Sequence, residues 1–142
     1  MAGQPTANPV LTFDVTGLTV NEPGLAPTTV IEDSADFEFN VSFEFGGFFA
    51  PFLVGLGIPC NVTVRFESLG DGPEGVEPQP PLPPVIVTTV AGILNYVGTI
   101  PVPATDLLST VGTYRLVGVV VVPGSPLAGF TSGVDILQII EG

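Results

Sequence analysis

Residues 37–45 alternate without a break. Phe37, Phe39, Val41, Phe43 and Phe45 fall on one side, and Glu38, Asn40, Ser42 and Glu44 on the other. A period of two is the mark of a β-strand with one buried face. A helix would scatter the same phenylalanines around its axis. The chain must therefore build a second layer to cover this face. A later run, Val117-Gly118-Val119-Val120-Val121-Val122, is apolar on both sides. A small all-β domain has too few layers to hide both faces of such a strand. Part of that surface is expected to meet another chain.

Punctuation supports the all-β reading. The 142 residues include 18 Gly and 16 Pro, which suits many strands and turns and opposes long helices. The length allows one domain: a flexible arm at residues 1–9, then one β-sandwich over residues 10–142. Charged residues make up 11% of the chain, against about 25% in ordinary soluble domains.

Net charge is −12, with Arg65 and Arg115 the only basic side chains. No basic footprint for nucleic acid can be assembled, and a role at anionic membranes is disfavoured. A halophile's surface would be acidic too, but more richly charged. Cys60 is the single cysteine, so an intrachain disulfide is excluded. It is expected to be a small buried hydrophobe, with an intermolecular disulfide or a reactive thiol as the alternative. The first residues show no basic n-region and no apolar h-region, so no classical secretory signal is expected. No run approaches the ~18 apolar residues of a transmembrane helix.

The patterning predicts strands at about residues 10–20, 28–31, 36–45, 61–68, 85–90, 95–102, 113–122 and 134–140. In the first of these the apolar phase flips at Gly17, from Leu11, Phe13 and Val15 to Leu18 and Val20. A flip at glycine predicts a bulge or a change of sheet. Residues 77–84, Glu-Pro-Gln-Pro-Pro-Leu-Pro-Pro, favour polyproline II and read as a stiff loop between sheets. The basic flank that SH3-type ligands usually carry is missing.

One motif speaks to the kind of sandwich. Leu108 stands upstream of Gly112-x-Tyr114 at the start of the penultimate expected strand. This resembles the tyrosine corner of immunoglobulin-like sandwiches, in which the hydroxyl bonds back to upstream backbone. The Cys pair and core Trp of antibody domains are absent. The resemblance is therefore to the fibronectin type III or bacterial Ig-like variety. It implies a single antiparallel Ig-like sandwich of seven to eight strands, with Leu108, Gly112 and Tyr114 as structural corner residues. By analogy of fold it slightly favours an extracellular or cell-surface location. Fold membership does not give function.

Catalytic chemistry is narrowed by the missing residues. Without His or Lys there is no Ser-His-Asp, Cys-His or Ser-Lys arrangement. A zinc site would need His or several Cys. No Rossmann or P-loop glycine pattern occurs. Paired carboxylates remain, but Trp is absent and only Tyr96 and Tyr114 offer polar rings for sugar stacking. The chain is read as no enzyme and as needing no cofactor. Calcium is the metal to consider. Glu32, Asp33 and Asp36 are its weak candidates, and Asp71, Glu74 and Glu77 form a second acidic turn; solvated turns are the plainer reading of both. Asn40-Val-Ser42 and Asn61-Val-Thr63 match the glycosylation sequon, but both lie within expected strands and read as outward polar residues.

The connection at residues 46–59 is long for a hairpin and almost wholly apolar, with room for a helical turn at 50–54. Two readings compete. It plugs one end of the core, or Phe48, Phe49, Phe52, Leu53 and Leu56 form an exposed patch that docks on a partner. Val117, Val119 and Val121 are the further interface candidates. The leading expectation is a non-catalytic assembly protein, a self-associating subunit of an oligomer, filament or surface layer. Lysine-free strand edges lack a common protection against edge-to-edge pairing. The alternative is a monomeric binding or adhesion module presenting loops to a protein, glycan or apolar ligand.

Overall fold

The alternating segment forms the central strand of one sheet, and its phenylalanines form the centre of the core. The structure is a computed structural model that describes residues 10–32, 34–69, 83–102, 112–131 and 135–141. Along the chain these give β1 (Thr12–Asn21), β2 (Val30–Glu32), β3 (Phe37–Gly46), α1 (Ala50–Val54), β4 (Pro59–Ser68) and β5 (Val85–Thr88). There follow β6 (Asn95–Val102), β7 (Gly112–Val121), β8 (Ala128–Phe130) and β9 (Asp135–Ile140).

Two sheets face each other. The smaller has the order β1-β3-β6. The larger has the order β2-β9-β7-β4-β5, with β8 pairing β7 beyond the end of β9. Among the described residues all pairs are antiparallel except β2 with β9, where Ile31 lies beside Ile139 in parallel register. The sequence reading foresees eight of the nine strands among the described residues; the added one is β8, a three-residue Ala-Gly-Phe.

Phe37, Phe39, Val41, Phe43 and Phe45 are all buried, while Glu38, Asn40, Ser42 and Glu44 stand on the outer side. Phe43 stacks on its cross-strand partner Tyr96 with ring centroids 5.5 Å apart, and Phe13 closes on Phe45 at 5.0 Å. Each buried Phe stabilises by roughly 1.5–3 kcal/mol. The larger sheet answers with Val62, Val64, Leu116, Val120, Leu137 and Ile139. In β1 the register slips between Val15 and Gly17, the bulge that the phase flip predicts. Through it Val15 and Leu18 both reach the core side.

Two glycines set how the sheets meet. A Cβ on Gly98 of β6 would lie 2.8 Å from a methyl of Val62 in β4, on the opposite sheet. A Cβ on Gly118 of β7 would lie 3.1 Å from the methyls of Val41 in β3. Within the smaller sheet, Gly98 pairs with Val41. Each sheet therefore presents a hollow beside a bump, and the bump of one enters the hollow of the other. The buried Thr131 closes the end of β8: its Oγ1 accepts the Gly118 N–H at 3.1 Å, and its own N–H donates to the Gly118 carbonyl at 2.9 Å.

Candidate interaction site

The connection between β3 and β4 divides by face. Pro51 stands in the first turn of α1, where its missing N–H costs nothing. A helix of five residues does not stand alone. It is held because Ala50 and Val54 are fully buried and Leu53 and Ile58 pack half-buried against the core. Leu53 therefore belongs to the plug, not to an exposed patch. The other side is open. Phe48 is 72% exposed, Phe52 61% and Leu56 60%, and Phe49 leans on Phe52 with centroids 5.1 Å apart. The connection thus closes the core with one face and leaves an apolar face in solvent.

These side chains stand on a fixed frame. Gly47 takes φ +90°, and a Cβ there would strike the Val10 carbonyl oxygen at 2.6 Å. That carbonyl instead accepts the Phe49 N–H at 3.0 Å. At the exit, the buried Thr89 brackets Ile58. Its Oγ1 accepts the Ile58 N–H at 2.7 Å, and its N–H donates to the Ile58 carbonyl at 3.0 Å. The β5–β6 turn lies alongside, with Ala91 at van der Waals distance from the Cβ position of Gly55. Val90 and Ile93 of this turn are also exposed, as is Val10. Residues 46–59 and 83–98 contain no charged side chain. The α1 end of the sandwich is thus an uncharged apolar tip.

The turn is secured by Tyr96. Its hydroxyl accepts the Val90 N–H at 3.0 Å and reaches the carbonyls of Val90 and Ile93. This is the hydroxyl-to-upstream-backbone arrangement that the sequence motif assigns to Tyr114. From the sequence Tyr96 is read only as a polar ring for sugar stacking; its place at the start of a strand, behind Ala91-Gly92, is the available signal for this role. Tyr114 itself is buried, its hydroxyl 3.6 Å from the Cβ position of Gly112, and burial pushes its pKa up. Leu108 lies outside the described residues.

The outer faces of the two sheets differ. On the larger, Val117 and Val119 are half-buried and Val121 is exposed. Phe130, 69% exposed, pairs with Val119, and the exposed Ile86 pairs with Asn61. On the smaller, a polar ladder crosses the strands. Thr99 Oγ1 donates to Asn40 Oδ1 at 2.9 Å, Asn40 Nδ2 donates to Asn21 Oδ1, and Asn21 Nδ2 donates to a Glu38 carboxylate oxygen at 3.2 Å. Both sequon asparagines sit on strands, Asn40 in β3 and Asn61 in β4.

A groove of about 190 Å³ opens on the β1 side of the sandwich. Leu18, Val20, Leu116 and Ile136 line it, together with Thr19, Pro27, Thr28 and Thr29. Among the described residues, no group of three His, Cys, Asp or Glu is placed to hold a metal ion. Glu32 and Asp36 are exposed, and Asp33, Asp71, Glu74 and Glu77 lie outside the described residues. Cys60 is fully buried, and desolvation pushes its thiol above its ordinary 9.0. A neutral, enclosed thiol is neither a nucleophile nor a ready partner for a disulfide between copies. Among the described residues, no helix is long and apolar enough to cross a membrane.

No family model and no curated protein matches the sequence. Solved structures do match in fold. The C-terminal domain of Wzt superposes with a TM-score of 0.59 at 12% identity, over 92% of this chain and 74% of that one. The CARDB domain of a Pyrococcus furiosus protein gives 0.44 at 15% identity, over 95% and 96%. AggA, the major subunit of aggregative adherence fimbriae type I from Escherichia coli, gives 0.43 at 7% identity, over 96% and 98%. With the two facing sheets described above, the likeness to the Wzt domain shows this chain to be an immunoglobulin-like β-sandwich, and the likeness is one of fold alone.

Proposed function

We propose that this protein is a non-catalytic assembly subunit that associates with further copies of itself through its apolar α1 end. The observation that carries this reading is the tip: Phe48, Phe52 and Leu56 stand largely in solvent on a hydrogen-bonded frame. Large contiguous apolar surface usually marks a contact. The magnitudes are adequate. Burying each large apolar side chain contributes roughly 1.5–3 kcal/mol, and association costs about 4–15 kcal/mol in lost freedom. Phe48, Phe49, Phe52 and Leu56 together reach that range. The outer face of the larger sheet, with Val119, Val121 and Phe130, supplies a second, lateral surface.

Light scattering from micromolar to millimolar protein tests the proposal. The mass should climb above 14.6 kDa with concentration. Phe52→Ser should keep the wild-type melting curve and lower that mass, because its side chain already faces water. A monomer at every concentration would remove the assembly role and leave a monomeric binding module.

A further inference from the structure

The tip and the groove lie at opposite ends of the strands. Thr12 of β1 pairs with Gly46, next to α1, whereas Leu18 and Val20 are six and eight residues further along. In β7, Val121 pairs with Asn61 near the exit of α1, whereas Leu116 pairs with Phe66, five residues beyond. At about 3.3 Å per residue the two sites are roughly 20 Å apart along the strand axis.

The groove also has the size and chemistry of the tip's most exposed side chain. An apolar cavity of about 150 Å³ holds a benzene molecule. A groove of about 190 Å³ has room for one phenyl ring. Its apolar walls are Leu18, Val20, Leu116 and Ile136, joined by Pro27 and three threonines, and among the described residues that line it none is charged. Phe48 is the most exposed phenylalanine of the tip, and its ring is not engaged in the Phe49–Phe52 pair.

We propose that Phe48 of one copy inserts into the groove between β1, β7 and β9 of the next, so that copies join head to tail. This inference rests on the assembly reading above and gives it a direction. Such a contact uses two different patches, one per partner, and with the patches at opposite ends of the strands it repeats along one direction, forming a ring only where the rotation between copies closes. A heterologous contact that does not close grows into a filament. The row keeps one open tip at one end and one open groove at the other.

The test uses two variants that damage one partner each. Phe48→Asp places a charge on the tip and leaves the groove intact. Thr29→Trp adds a bulky ring to the groove lining and leaves the tip intact. Both positions are exposed, and a melting curve of each variant checks that it is folded. Each variant alone should lose the concentration-dependent growth of the wild type. Mixed in equal amounts, they should form a 1:1 complex that neither forms alone, with the intact tip of Thr29→Trp seated in the intact groove of Phe48→Asp. Native mass spectrometry reads it as one copy of each variant. Phe48→Ser and Thr29→Arg repeat the test should either first variant fail to fold. If either variant still grows like wild type, or if the mixture forms no heterotypic complex, the tip-in-groove contact is wrong and the assembly role stands on another surface. If the wild type itself stays monomeric, the assembly role falls with it.

Discussion

The outer face of the smaller sheet and the α1 tip are both solvent-exposed, and they meet water in opposite ways. On the sheet face, Thr99, Asn40, Asn21 and Glu38 bond to one another across three strands. At the tip, side chains with nothing to offer water stand on a backbone whose polar groups are bracketed by Thr89, Tyr96 and Val10. The exposure of Phe48 and Phe52 is therefore not a failure of local packing. The same helix buries Ala50 and Val54 completely. The outer side of this connection is apolar where the outer side of β3 is polar.

The sharpest way to break the contrast is to remove the frame under the tip. Gly47→Val combines a left-handed backbone position with a collision against the Val10 carbonyl. It should cost on the order of 3 kcal/mol, read as a shift in the urea midpoint. An unshifted midpoint would mean that the tip is loosely attached and its exposure incidental. Tyr96→Phe sharpens the same point at a smaller scale. It leaves the Val90 N–H short of a partner and should cost about 1–3 kcal/mol while the core ring stays in place. Protection of the Val90 amide from hydrogen exchange should fall with it; unchanged protection would detach Tyr96 from the frame. The smallest effect belongs to the other surface. Asn40→Ala cuts the polar ladder and should cost about 1 kcal/mol without altering assembly. A change in assembled mass would place the contact on the wrong face.

Much of the framework was legible because it is local. The alternation of residues 37–45 fixed β3 and its inward side, the phase flip at Gly17 marked the bulge, and the run from Ala50 admitted the short helix. What stayed hidden depends on distant partners. β8 is three residues with a central glycine, and it becomes a strand only because β7 extends past β9. The split of residues 46–59 into a plug and a tip is set by Val10, Thr89 and Ala91, which are remote in sequence. Tyr96 shows its role only once the turn has folded back onto its hydroxyl. The groove joins β1, β7 and β9, and no periodicity announces it.

The reciprocal fit of Gly98 to Val62 and of Gly118 to Val41 bears on how the two sheets find each other. A flat apolar face can slide over another at little cost, and many staggers would bury similar area. Here any displacement by a residue pair would set a valine against a β-carbon where a hollow should be. Interiors are packed too densely to absorb that. The two glycines therefore act as a vernier. They let the sheets seal at one alignment and penalise the near misses, so the fold's uniqueness is written in the places where side chains are missing.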